Sequence, residues 1–110
     1  MRTETVEVDE RFGKEYAGTY VFREITGLKR DRIITRYTKY SPTGAVLSSD
    51  IGAIRVETLW ASLKEQPSSK PLTLEKLLNE DADVPQSLTN LFHKTVSSLN
   101  EVSLEEKKNC

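Results

Sequence analysis

"GTYVFREITGLKRDRIITRYTKY", residues 18–40, changes its hydrophobic period halfway along. Up to Ile25 the chain alternates. Tyr20 and Phe22 fall on one side of an extended backbone, and Val21 and Ile25 fall on the other, the pattern of a strand with both faces partly covered. From Leu28 the spacing becomes helical. At about 100° per residue, Ile33, Ile34, Tyr37 and Tyr40 lie between about 120° and 240° from Leu28, a stripe wide enough to bury. The β part therefore ends here and the helical part begins, which makes the fold α+β.

Working outward, "TVEVDE" (5–10) alternates Val6 and Val8 with Glu7 and Asp9. It reads as a half-buried strand, joined through "RFGKEYA" to the strand at 18–25 as an N-terminal β-hairpin over about residues 4–25. Downstream of the first helix, placed at about 28–40, "SPTGAVLSSD" supplies a turn at Pro42 and Gly44, with Ala45 to Leu47 able to form a short extended piece. Ser48, Ser49 or Asp50 can cap a second helix at about 51–66, whose Gly52, Val56, Leu59, Trp60 and Leu63 share an arc of about 120°. Ile54 and Ala61 lie on its opposite side, so this helix is either covered on two faces or keeps an apolar strip for a partner. Pro67 ends it, and "PSSKP" follows as a short polar linker. Thr73 caps a two-turn helix at about 73–80. Pro85 then opens an amphipathic helix at about 85–99, with Leu88, Leu91, Phe92, Val96 and Leu99 on one face. Trp60, Tyr20, Phe22 and Phe92 are read as core.

A chain of 110 residues suits one domain, expected over 1–101, with a disordered polar tail at 102–110. The N-terminus lacks the apolar run of a signal peptide, and no stretch approaches the ~20 apolar residues of a membrane span, so a cytoplasmic protein without a membrane partner is expected. The one cysteine, Cys110, allows no intrachain disulfide and no thiolate cluster.

Residues 26–40 hold five basic groups and one acidic one in a chain of net charge −1. Lys29, Arg32, Arg36 and Lys39 fall between about 20° and 100° on the helical projection and form a stripe beside the apolar face. Such a stripe suits phosphates through counterion release, and equally serves as a solvated face paired with the acidic N-terminal strand. A nucleic-acid module more often carries a basic domain than one compensated stripe. With Thr26 as cap, Lys29 and Arg30 would oppose the helix dipole; a start near Asp31 would avoid that.

Nothing spells out a reaction. His93 has no nucleophile or orienting carboxylate at readable spacing, "NEDAD" (79–83) has too few ligands for a calcium loop, and no phosphate loop, zinc spacing or nucleophile elbow occurs. The expectation is a protein without enzymatic activity, cofactor or metal.

The order of elements, with the phrases "SPTGAV", "AIRVETLWASLKEQP", "PLTLEKLLNE" and the closing "SSLN", resembles the small tail assembly chaperones of long-tailed phages and prophages over roughly residues 5–100. That resemblance implies a chaperone that binds the tape-measure protein and keeps its long apolar helices soluble while tail-tube subunits are recruited. It also implies a partner-binding role for Ile54, Ala61 and the basic groups Lys29, Arg32, Arg36 and Lys39. The alternative is a small nucleic-acid-binding or regulatory protein that uses the helix at 28–40.

Overall fold

The computed structural model describes residues 1–68 and 70–100, and the expected tail at 102–110 lies outside them. Strand β1 (Thr3–Val8) pairs antiparallel with β2 (Gly18–Arg23), Val6 opposite Tyr20 and Val8 opposite Gly18. The connection between them is two short 3-10 turns. Asp9 caps the first by accepting from the Arg11 amide at 2.9 Å. Gly18 sits at φ +143°, where a Cβ would fall 2.5 Å from Pro67 Cγ, so the return strand must begin with a residue lacking a side chain.

Helix α1 (Gly27–Arg36) is capped by Thr26, whose hydroxyl accepts from the Lys29 amide at 3.2 Å. It is shorter than its periodicity suggests. The Thr38 hydroxyl donates to the Ile34 carbonyl at 2.6 Å, filling an acceptor site at the helix end, and the chain leaves as β3 (Thr38–Tyr40). β3 pairs with β4 (Val46–Ser49) as a second, separate hairpin around the Pro42–Gly44 turn, with Tyr40 opposite Val46. Residues 38–40 are thus strand, and Tyr40 is exposed instead of buried in a helical stripe.

Helix α2 (Ile51–Ser62), capped by Asp50, also stops early. Leu63 to Glu65 form β5, which pairs with β2 to give the sheet order β1-β2-β5. The far edge of β2 would otherwise leave backbone amides and carbonyls without partners beside the core, and a three-residue strand satisfies them better than one more helical turn.

The linker then folds back. The Gln66 side-chain amide donates to the Leu72 carbonyl at 3.0 Å and its oxygen accepts the Leu72 amide at 2.7 Å, which sets Leu72 into the core. Helix α3 (Leu74–Leu78), capped by Thr73, and helix α4 (Gln86–Asn100) complete the chain.

The core gathers Val8, Tyr20 and Phe22 from the sheet, Leu59 from α2, and Leu88, Phe92, Val96 and Leu99 from α4. Phe92 is its centre, with ring centroids 4.8 Å from Tyr20 and 5.1 Å from Phe22. Tyr16, from the hairpin connection, is equally buried; its hydroxyl donates to the Asp83 carbonyl at 2.8 Å, and its own carbonyl accepts the Tyr20 hydroxyl at 2.9 Å. Asn100 locks the far end. It accepts the Ile25 amide at 3.0 Å and donates to the Val96 carbonyl at 2.9 Å, tying the end of α4 to the exit of β2. Trp60, expected in the core, is only half-buried.

Candidate functional site

The β3–β4 hairpin contributes no side chain to the core, and every residue of β4 is exposed. Val46 is 63% exposed and Leu47 67%, and Ile51, just beyond the strand, is 61% exposed. The register shifts at Leu47, with Lys39 opposite Ser48 and Tyr40 opposite Val46, and the hairpin presents Tyr40, Val46 and Leu47 to solvent. An isolated two-stranded hairpin is marginal in water. This one is held at its base by the Asp50 amide donating to the Tyr37 carbonyl at 2.9 Å and by the Thr38 and Ser49 hydroxyls 3.1 Å apart. At its tip the Ser41 amide donates to the Ala45 carbonyl at 2.8 Å. The chain invests hydrogen bonds in holding apolar side chains out in water.

The basic groups run from the first turn of α1 to β3. Lys29, Arg30 and Arg32 are exposed on α1 and form no ion pair among the described residues, while Lys39 is exposed on β3, opposite Ser48. Lys39 therefore leaves the helical stripe because the helix ends before it. Since Thr26 caps α1, Lys29 and Arg30 do sit in the first turn, where each opposes the dipole by about 0.3–1 kcal/mol. Local stability would favour acidic residues there, and a locally unfavourable choice of this kind is what a binding surface tolerates.

Arg36 behaves differently from its neighbours. Its guanidinium bonds the Glu57 carboxylate of α2, which is only 6% exposed and whose Oε2 has no hydrogen-bond partner. Burial, and then the neighbouring Glu57 carboxylate, push the Tyr37 hydroxyl up from its ordinary value. Ile54 and Ala61 share the side of α2 that carries Glu57, three and four residues away, and both are half-buried. The structure thus brings Arg36 to the side of α2 that bears Ile54 and Ala61, and leaves Lys29, Arg32 and Lys39 in solvent. Glu57 went unnoticed in the sequence, although an acidic residue placed between Ile54 and Ala61 on one helical side is the signal that could have found it.

A second concavity, an open cleft of about 230 Å³, lies between α2, α3 and α4. Val56, Leu77 and Val84 give it apolar walls, and Lys76, Glu80 and His93 give it polar ones. His93 is held below its ordinary pKa by burial first and by the nearby Arg55 second. No three of His, Cys, Asp and Glu converge among the described residues, and no described helix is long and apolar enough to cross a membrane.

Comparisons with family models, curated proteins and solved structures give no match to this chain.

Proposed function

We propose that this chain is a non-enzymatic assembly chaperone of the long-tailed phage and prophage type, acting in the host cytoplasm to keep the apolar helices of a tape-measure protein soluble while tail-tube subunits join. The observation that carries this reading is the β3–β4 arm, which holds Tyr40, Val46 and Leu47 in solvent outside the core, with Ile51 exposed at the start of α2. An amphipathic helix laid against the arm would cover these groups, and the flanking cations would favour a helix with acidic ends. Ile54 and Ala61 offer less of a free strip than the arm does, since both are already half-buried.

Nucleic acid is the competing partner, favoured by the unpaired Lys29, Arg30 and Arg32. Co-expression with an aggregation-prone tape-measure segment discriminates between them. The parent chain should keep the segment in the soluble fraction and co-purify with it, and Val46→Asp should abolish both. Co-purification of nucleic acid in place of the segment, lost on Arg32→Glu, would overturn the proposal.

A further inference from the structure

The cleft between α2, α3 and α4 shares no lining residue with the β3–β4 arm, so what it binds is independent of the client reading. From its composition we infer that it is a binding site for a small aliphatic monocarboxylate, either a free short-chain acid or the terminal carboxylate of a polypeptide ending in a branched residue.

Three observations select this ligand. The walls contributed by Val56, Leu77 and Val84 come from α2, α3 and the loop before α4, so an alkyl group entering the cleft meets apolar surface from three directions. A volume of about 230 Å³ lies below the roughly 300–1,000 Å³ of pockets for drug-sized molecules, which restricts the buried part of the occupant to a few carbons. The polar side of the cleft holds two donors that are unpartnered among the described residues. Lys76 has no ion pair and the half-buried His93 ring no hydrogen-bond partner among the described residues; Arg55, outside the lining, adds positive charge that lowers the imidazole pKa. A carboxylate supplies what these groups lack, accepting charge-assisted bonds from the ammonium and a bond from the ring N–H.

Glu80 limits the class further. It is the one carboxylate lining the cleft, so a second carboxylate on the ligand would meet it at close range, and a dicarboxylate is disfavoured. The charged groups facing His93 are then Arg55 from α2, Lys76 from α3 and Glu80 from the turn that follows. A bound anion offsets the two cations and favours imidazolium, so the ligand should bind more tightly as the pH falls below neutrality.

The test follows the His93 ring and Thr89 amide resonances by NMR during titration with isovalerate, N-acetyl-leucine, the two corresponding amides, and succinate. Both carboxylates, or either alone, should shift these resonances in a saturable way and raise the midpoint of the His93 titration; isovalerate alone marks a free acid, and N-acetyl-leucine alone marks a chain terminus. The amides and succinate should bind about tenfold more weakly, and Lys76→Met should weaken the carboxylates by a similar factor. Carboxylate and amide shifting the signals equally, no saturable shift with any probe, or full affinity retained in Lys76→Met would each overturn the assignment.

Discussion

Arg36 on α1 meets Glu57 on α2 through one carboxylate oxygen, while the other oxygen of Glu57 is buried without a partner. This contact joins the helix that leads into the exposed arm to the helix that leaves it. Removing the cation strands a buried charge, so Arg36→Ala should lower stability by about 1–3 kcal/mol, below the usual cost for a fully buried pair because the Arg36 side chain is half exposed. The double variant Arg36→Met with Glu57→Leu should be the more stable of the two, since neither charge remains. Urea denaturation of both checks the order, and equal midpoints for Arg36→Ala and the parent would show that the pair adds nothing.

Phe92 touches both aromatic rings of β2 and is fully buried. Phe92→Ala should cost about 3–5 kcal/mol, a large part of the stability of a small domain. An unchanged denaturation midpoint would contradict the placement of α4 on the sheet.

Two glycines with positive φ separate backbone strain from steric collision. At Gly44, φ +88°, a Cβ meets nothing within 4 Å, and Gly44→Ala should cost only about 1 kcal/mol, the backbone penalty. At Gly18 the same penalty is joined by collision with the Pro67 ring, so Gly18→Ala should be clearly the more damaging of the two in thermal unfolding. Equal losses would mean that β2 and the Pro67 segment are not in contact.

His93 gives stability a pH dependence of definite sign. Its pKa is lowered in the folded chain from an ordinary 6.5, so the unfolded chain binds the proton more readily. Stability should therefore fall as the pH drops through 6.5 toward the folded-state value, and should be unaffected by this group above 6.5. In His93→Gln that part of the pH dependence should vanish. A parent chain whose midpoint rises on acidification through this range would contradict the burial of the ring.

Long, uninterrupted periodic segments were legible in the sequence. β1, β2 and α4 stand where alternation and helical spacing place them, with Leu88, Phe92, Val96 and Leu99 buried and Thr73 as a cap, while the start of α1, open between Thr26 and Asp31 in the sequence, falls at Thr26. The illegible features depend on partners far along the chain. Leu63 to Glu65 continue the helical spacing of α2 and become strand only because β2 has an open edge. Tyr16 is core because its hydroxyl reaches Asp83, 67 residues away, and Leu72 because the Gln66 amide folds the linker back. The basic stripe fared similarly. Lys39 was separated from it by the β3–β4 pairing, and Arg36 was taken up by a carboxylate 21 residues further along the chain. Reversing Arg32 together with Arg36 is consequently a poor probe of binding alone, because Arg36→Glu sets a second acid against Glu57. Arg32 and Lys39 are free of that complication.

Whether the β3–β4 arm binds an apolar helical client can be read by fluorescence anisotropy at physiological salt, titrating a labelled amphipathic tape-measure helix and, separately, a DNA duplex. The titrants are the parent chain, Leu47→Asp, and the double reversal Arg32→Glu with Lys39→Glu, each first shown to be folded by circular dichroism. Leu47→Asp should weaken the helix complex by about thirtyfold, the double reversal should mainly slow association and flatten its salt dependence, and the duplex should not be bound. Undiminished helix binding by Leu47→Asp, or duplex binding by the parent that disappears in the double reversal, would contradict a client-binding role for the arm.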